Sequence, residues 1–216
     1  MNPMRETTTG RWLDAWAAVR TELPVLLRGQ PQLCDGIHPH FNVSPLGSLG
    51  DVGDLLLPNT SLPAMREALA PLAAQLIRQH HMAWIGGDHS ITLPLLRAYK
   101  AWLKRPLAVI HFDAHCDTWD SHFGEPSGHG TWVYEAMQEG LVIDACFTQI
   151  GIRSAGQREA RDHVQARGGQ IFTARALRGL HSPAQLAPAL SRLTKLGPRF
   201  VRALGPGWCE PFRSSP

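Results

Sequence analysis

The chain has 216 residues, 44% of them hydrophobic and 18% charged, with a formal net charge of +3, which is enough apolar material for one sizeable α/β domain and argues against intrinsic disorder. Its basic residues are scattered rather than gathered into a stripe interleaved with aromatics, so nucleic acid is a poor partner. Cys34, Cys116, Cys146 and Cys209 form no CxxC pair, the N-terminus MNPMRETTTGRW lacks the apolar run of a secretory signal, and no stretch approaches the ~20 apolar residues that span a bilayer. The expectation is a cytoplasmic chain with reduced thiols and no membrane anchor.

In chain order, LGSLGDVGDLLLPNTSLP is rich in Gly, Pro and Asp and reads as turns around one short strand. The segment MREALAPLAAQLIRQHH, ending at His81, places apolar side chains at helical spacing, and HMAWIGG then reads as a short buried strand. DHSITLPLLRAYKAWLK is the next predicted helix, with Ser90 as its cap and Pro94 in its first turn, where a missing N–H costs little. LAVIHFD (107–113), CFTQIGIRS (146–154) and GQIFTA (169–174) read as three further strands. Between the last two, QREARDHVQARGG forms a polar helix stopped by Gly168 and Gly169. Alternation of helices with short apolar runs ending in Gly, Asp or Ser is the pattern of βα units feeding a parallel sheet.

Two of these strand ends carry chemistry. The first ends IGGDHS, with Asp88 and His89, and the second ends HFDAHCD, with Asp113, His115 and Asp117. If the intervening helix is a crossover, both strands run parallel, lie ~4.8 Å apart and open onto the same sheet edge. Ligands at i, i+2 and i+4 project to one side of an extended backbone. Two imidazoles and two carboxylates make a mixed N/O set suited to Mn²⁺, with Fe²⁺ or Zn²⁺ behind it, and carboxylates can bridge a pair of ions. By the same alternation the Cys116 thiol turns away from His115 and Asp117 and is expected to pack rather than react. Trp119, Trp132 and Tyr134 are expected to belong to the core more than to a pocket wall.

GGDHSITLPLLRA, then HFDAHCDTW, then HGTW and QIGIRS together resemble the metal motifs of the arginase and agmatinase family, in the family's order and most clearly from 51 to 197. The resemblance implies a three-layer αβα fold with a mainly parallel sheet, incomplete at its ends, with 1–197 as one domain and 198–216 as an aberrant tail. It also implies two Mn²⁺ ions, one bound by His89, Asp113 and Asp117 and the other by Asp113 and His115, with Asp88 supporting its neighbour. His129 matches a histidine that serves as proton shuttle to the leaving amine or lines the substrate.

The implied reaction is hydrolysis of a linear guanidino C–N bond, agmatine and water giving putrescine and urea, in a chain that forms homo-oligomers. A guanidino acid such as guanidinobutyrate is the rival substrate, although Asp120 and Glu125 suit a cationic tail better than a carboxylate. The family's later Asp-x-Asp pair is not found: after Asp162 the remaining acid is Glu210, in the tail RFVRALGPGWCEPFRSSP. That departure raises a second function, a non-catalytic remnant that binds metal weakly or assembles with an intact paralogue. A one-zinc deacetylase on a related fold ranks third.

Overall fold

The computed structural model describes residues 52, 54–58, 61–80, 82–84, 86, 88–121, 124–154 and 156–177, together with the backbone of 200–204. The chain divides into two compact units, Met1–Asp54 and Leu55–Pro216, and every helix and strand described belongs to the second. Of the turn-rich segment before residue 64, positions 54–58 carry no regular secondary structure, and its earlier part lies outside the described residues, as do Cys34, Cys209 and the tail from 205 onward.

Helix α1 (Leu62–Gln79) begins at Ser61, whose hydroxyl accepts from the Ala64 N–H, with a proline in the first turn. It buries Met65, Leu69, Ala73 and Ile77, a four-residue spacing that keeps one face inward. That face packs on helix α2 (Thr92–Leu103) through Leu95, with Trp84 and Ile91 closing the contact. Asp88, not Ser90, caps the start of this region: its Oδ1 accepts from the Ser90 N–H at 2.8 Å and opens a 3-10 turn, His89–Ile91, that runs into α2. Ser90 itself is buried, so the carboxylate one step outside takes the capping position. Lys104, in the left-handed region at φ 56°, ends α2.

Strand β1 (Leu107–Phe112) follows, then helix α3 (Trp132–Gln138), strand β2 (Val142–Ile152), helix α4 (Arg158–Ala166), strand β3 (Gln170–Thr173), the short helix α5 (Ala174–Leu177) and strand β4 (Phe200–Leu204). All pairings are parallel and the strand order is β3-β2-β1-β4. A parallel sheet must be covered on both faces, and β1 shows the required alternation. Leu107 and Val109 enter a cluster with Leu93 and Leu96 of α2, Trp132, Val133 and Met137 of α3, Phe147 of β2 and Val164 of α4. Ala108 and Ile110 point to the other face with Ile150, Phe172 and Leu177. Each large side chain fully withdrawn from water in these clusters stabilises the fold by about 1.5–3 kcal/mol.

One expected strand is absent from the described residues. HMAWIGG forms no strand at its described positions, 82–84 and 86. It does not lie beside β1 as expected, because both edges of β1 are taken by β2 and β4. The segment 200–204, at the start of the stretch read as a tail, supplies β4. The predicted stop of α4 holds: Gly168 adopts φ +89°, and a Cβ on Gly169 would lie 2.6 Å from Val164 Cγ1 and 2.9 Å from the Phe147 carbonyl oxygen. One glycine supplies the backbone conformation and the next supplies the space.

Candidate metal centre

The candidate site forms at the carboxyl end of β1. The Asp113 N–H still donates to the Ile150 carbonyl at 3.1 Å, as a last rung of the ladder, and the chain then turns sharply. The backbone from Asp113 to Asp117 is not extended, contrary to the spacing argument. Asp113 Oδ1 captures the His115 N–H at 2.9 Å, a local side-chain bond that competes with strand geometry. Beyond it, the Arg153 and Ser154 N–H groups both donate to the Ala114 carbonyl at 2.9 Å. Asp117 sits at φ 52°, a left-handed conformation that a non-glycine residue holds only when its surroundings fix it.

Those surroundings are visible. The Trp132 indole N–H donates to Asp117 Oδ2 at 2.8 Å, so the indole is both part of the core, as expected, and a support for the site. His89 Nδ1, carried by the capped 3-10 turn, lies 3.2 Å from Asp113 Oδ2 and 3.0 Å from Asp117 Oδ2. His111 Nε2 lies 3.2 Å from Asp113 Oδ2 and 3.7 Å from Asp117 Oδ2. His89, His111, Asp113 and Asp117 are all buried, and one potential ligand atom from each falls within 4.8 Å of the others.

Two carboxylates gathered this closely and this far from water require positive charge. Burial alone would depress the His89 pKa, but hydrogen bonds and charge from Asp113 and Asp117 overcome it and raise the value to about 9. Burial would likewise raise Asp113, yet the hydrogen bonds from His111 and His89 hold its carboxyl well below the usual carboxylate range. A proton on His89 therefore balances the cluster, in the place where a hard divalent cation would do so. The other ring nitrogen of His89, Nε2, is buried without a hydrogen-bond partner, so the carboxylates are the polar groups that set the orientation of this ring. The donor set and its charge fit Mn²⁺.

His115 lies apart from this four-residue group. Its side chain is 59% exposed and its Nδ1 is 3.2 Å from Asp113 Oδ1. The two oxygens of Asp113 thus face opposite ways, Oδ2 toward His89, His111 and Asp117 and Oδ1 toward His115, the disposition a carboxylate needs to bridge two ions. Asp88 acts through the cap that holds the His89 turn. His129 is solvent-accessible with Nδ1 3.8 Å from Asp88 Oδ2, on a loop pinned by Glu135, which accepts hydrogen bonds from the Ser127 N–H, the Ser127 hydroxyl and Thr131 Oγ1. Burial, with the charge of Asp117, pushes the Cys116 thiol up to about 11, which disfavours the thiolate. Trp119 is 41% exposed rather than core; its ring lies over Gly130, where a Cβ would approach to 3.0 Å.

His111 and Gln149 went unnoticed in the sequence, and the signal for His111 was there. It lies two residues before Asp113 on the same strand, and period-two alternation puts both on one side. A polar residue inside the apolar run LAVIHF was itself a clue.

A buried imidazole–carboxylate cluster at the carboxyl edge of a parallel sheet, with a further imidazole across its central carboxylate, is a donor set that could hold a metal ion in an α/β protein. The arginase family model matches residues 27–201, and the chain belongs to that family. An agmatinase of Chromobacterium violaceum is 47% identical over 73 residues, covering 34% of this chain and 23% of the relative. A guanidinopropionase of Pseudomonas aeruginosa is 37% identical over 141 residues, covering 61% of this chain and 42% of the relative. Among solved structures, the proclavaminate amidino hydrolase of Streptomyces clavuligerus superposes with a TM-score of 0.59 at 28% identity, covering 70% of this chain and 50% of that one. The matches thus span half or less of each relative's length, and the structural match bears out the three-layer α/β fold of this chain.

Proposed function

We propose that the site binds a pair of Mn²⁺ ions and serves hydrolysis of a linear guanidino C–N bond, with agmatine as substrate and putrescine and urea as products. One observation carries this reading: Asp113 turns one oxygen toward His89 and Asp117 and the other toward His115. His89, Asp113 and Asp117 would hold one ion, and Asp113 with His115 the other. When bound, such a pair supplies Lewis acidity that brings the pKa of water near neutrality and offsets charge developing at the guanidino carbon.

The chain's own residues account for the remaining steps. Trp132 and the Asp88-capped turn keep Asp117 and His89 in place. Water adds to the guanidino carbon through a new C–O bond and gives up a proton, His129 carries a proton to the departing nitrogen, and the C–N bond to the alkyl amine breaks to leave urea and the amine. Asp120 and Glu125, both exposed, would attract the distal ammonium of agmatine. Similarity to agmatinases supports this substrate, and similarity to a guanidinopropionase keeps a guanidino acid as the second reading. The free thiol of Cys116 suits a reducing cytoplasm; among the described residues no helix is long and apolar enough to cross a membrane. Homo-oligomer formation is part of the same proposal.

The test is urea release by the purified chain loaded with Mn²⁺, offered agmatine, 3-guanidinopropionate and 4-guanidinobutyrate in parallel. Release from agmatine well above a chelated control is expected. Faster release from either acid overturns the substrate assignment, and Mn²⁺ binding without release from any of them overturns the catalytic reading in favour of a metal-binding remnant.

A further inference from the structure

His111 is completely buried on β1 and stands directly opposite Gln149 of β2 in the parallel register. Gln149 is also completely buried, and its side-chain nitrogen lies 2.7 Å from the Cys116 carbonyl oxygen. A carbonyl can only accept, so the amide nitrogen and not the amide oxygen occupies this position. The same nitrogen lies 3.0 Å from His111 Nδ1, so its second hydrogen points at the ring. Nδ1 must then accept, which places the proton of the neutral imidazole on Nε2. That N–H faces Asp113 Oδ2 at 3.2 Å. The ring has little room to turn, because Trp132 packs on it edge-on at 4.9 Å and the His89 ring lies 5.2 Å away.

We infer that Gln149 and His111 form a positioning relay: the Gln149 amide fixes the His111 tautomer, and His111 Nε2–H holds the central carboxylate, Asp113, in the orientation that lets it bridge two ions. This rests on the proposed metal reading of the site. It separates His111 from the ligands, although its Nε2 lies among theirs. Ligation by Nε2 would require its lone pair to face the ion and the ring proton to move to Nδ1, where it would meet the Gln149 N–H head-on. Gln149 Oε1, buried without a partner, is the cost of this arrangement, and reversing the amide would instead set two oxygens against each other at the Cys116 carbonyl.

Two readouts test the relay, neither of which needs turnover. Two-bond ¹H–¹⁵N correlation spectra of the metal-free wild-type chain at neutral pH read the tautomer directly. The proton is expected on His111 Nε2, and a proton on Nδ1 overturns the inference. Mn²⁺ titration calorimetry then compares wild type with His111→Gln, whose amide nitrogen can sit near the former Nε2, and His111→Asn, whose amide is too short to reach Asp113. The expected result is near-wild-type affinity for His111→Gln and a 10–100-fold loss for His111→Asn, the range seen when a group that orients a metal ligand is removed. Equal affinity in wild type and His111→Asn overturns the relay. Failure of the wild type itself to bind Mn²⁺ overturns the metal reading beneath it, a distinct outcome. If His111→Asn does not fold, the tautomer spectrum of the wild type still decides.

Discussion

Replacing Trp132 by Phe separates packing from support of the site. The indole is fully buried and donates at 2.8 Å to Asp117 Oδ2. A phenyl ring fills most of the same space, so the packing loss is about 1 kcal/mol. Loss of a buried hydrogen bond to an ionised carboxylate adds about 1.5–3 kcal/mol. The lower end applies here, because His89 Nδ1 still faces the same oxygen at 3.0 Å. Urea denaturation of the EDTA-treated chain at neutral pH should therefore show Trp132→Phe less stable by about 2.5–3 kcal/mol, with the denaturant slope unchanged. Mn²⁺ affinity, measured separately, should fall about tenfold as Asp117 loses its fixed orientation. A stability loss of about 1 kcal/mol or less with unaltered Mn²⁺ affinity would reduce Trp132 to a core residue and refute the argument.

Three further outcomes are expected. Glu135→Ala removes the acceptor shared by Ser127 and Thr131 and frees Ser127 from φ 57°; thermal denaturation should show a loss of about 2–3 kcal/mol, with faster amide exchange at Ser127 and no change at β1. For the metal-free chain the raised His89 pKa fixes the sign of a pH effect: the stabilisation is fully present below the unfolded value of 6.5 and is lost as pH rises through about 9. Stability followed from pH 6 to 10 should fall across that window by roughly 1–3 kcal/mol, while Mn²⁺ affinity rises because the competing proton leaves; a flat profile in both would show that His89 does not carry this proton. Gly169→Ala would drive a methyl group against Val164 and the Phe147 carbonyl, lowering the denaturation midpoint by the equivalent of about 2–3 kcal/mol.

Much of this architecture was legible in the sequence because it rests on local pattern. The four-residue spacing of Met65, Leu69, Ala73 and Ile77 marks a helix whether or not its partner is known. The apolar run at 107–112 and the paired glycines at 168 and 169 are equally self-contained signals. What depended on neighbours was harder to read. HMAWIGG has the composition of a strand, but a place beside β1 depends on which segments claim its edges, and those are β2 and 200–204.

The site divides along the same line. His89, Asp113, His115 and Asp117 stood out by type and spacing, yet the backbone that presents them is a turn held by Asp113's own carboxylate and by two N–H groups more than thirty residues away. Gln149 and Trp132 reach the site only through tertiary packing. No sequence spacing links them to Asp113.

The proposed site stands or falls on Asp113. Mn²⁺ titration calorimetry of the 216-residue chain, wild type beside Asp113→Asn and Cys116→Ser, tests it most directly. Removing the charge of the carboxylate that faces both His89 and His115 should abolish measurable binding, and removing the neighbouring thiol should leave it unchanged. Equal affinity in wild type and Asp113→Asn would contradict the proposed site.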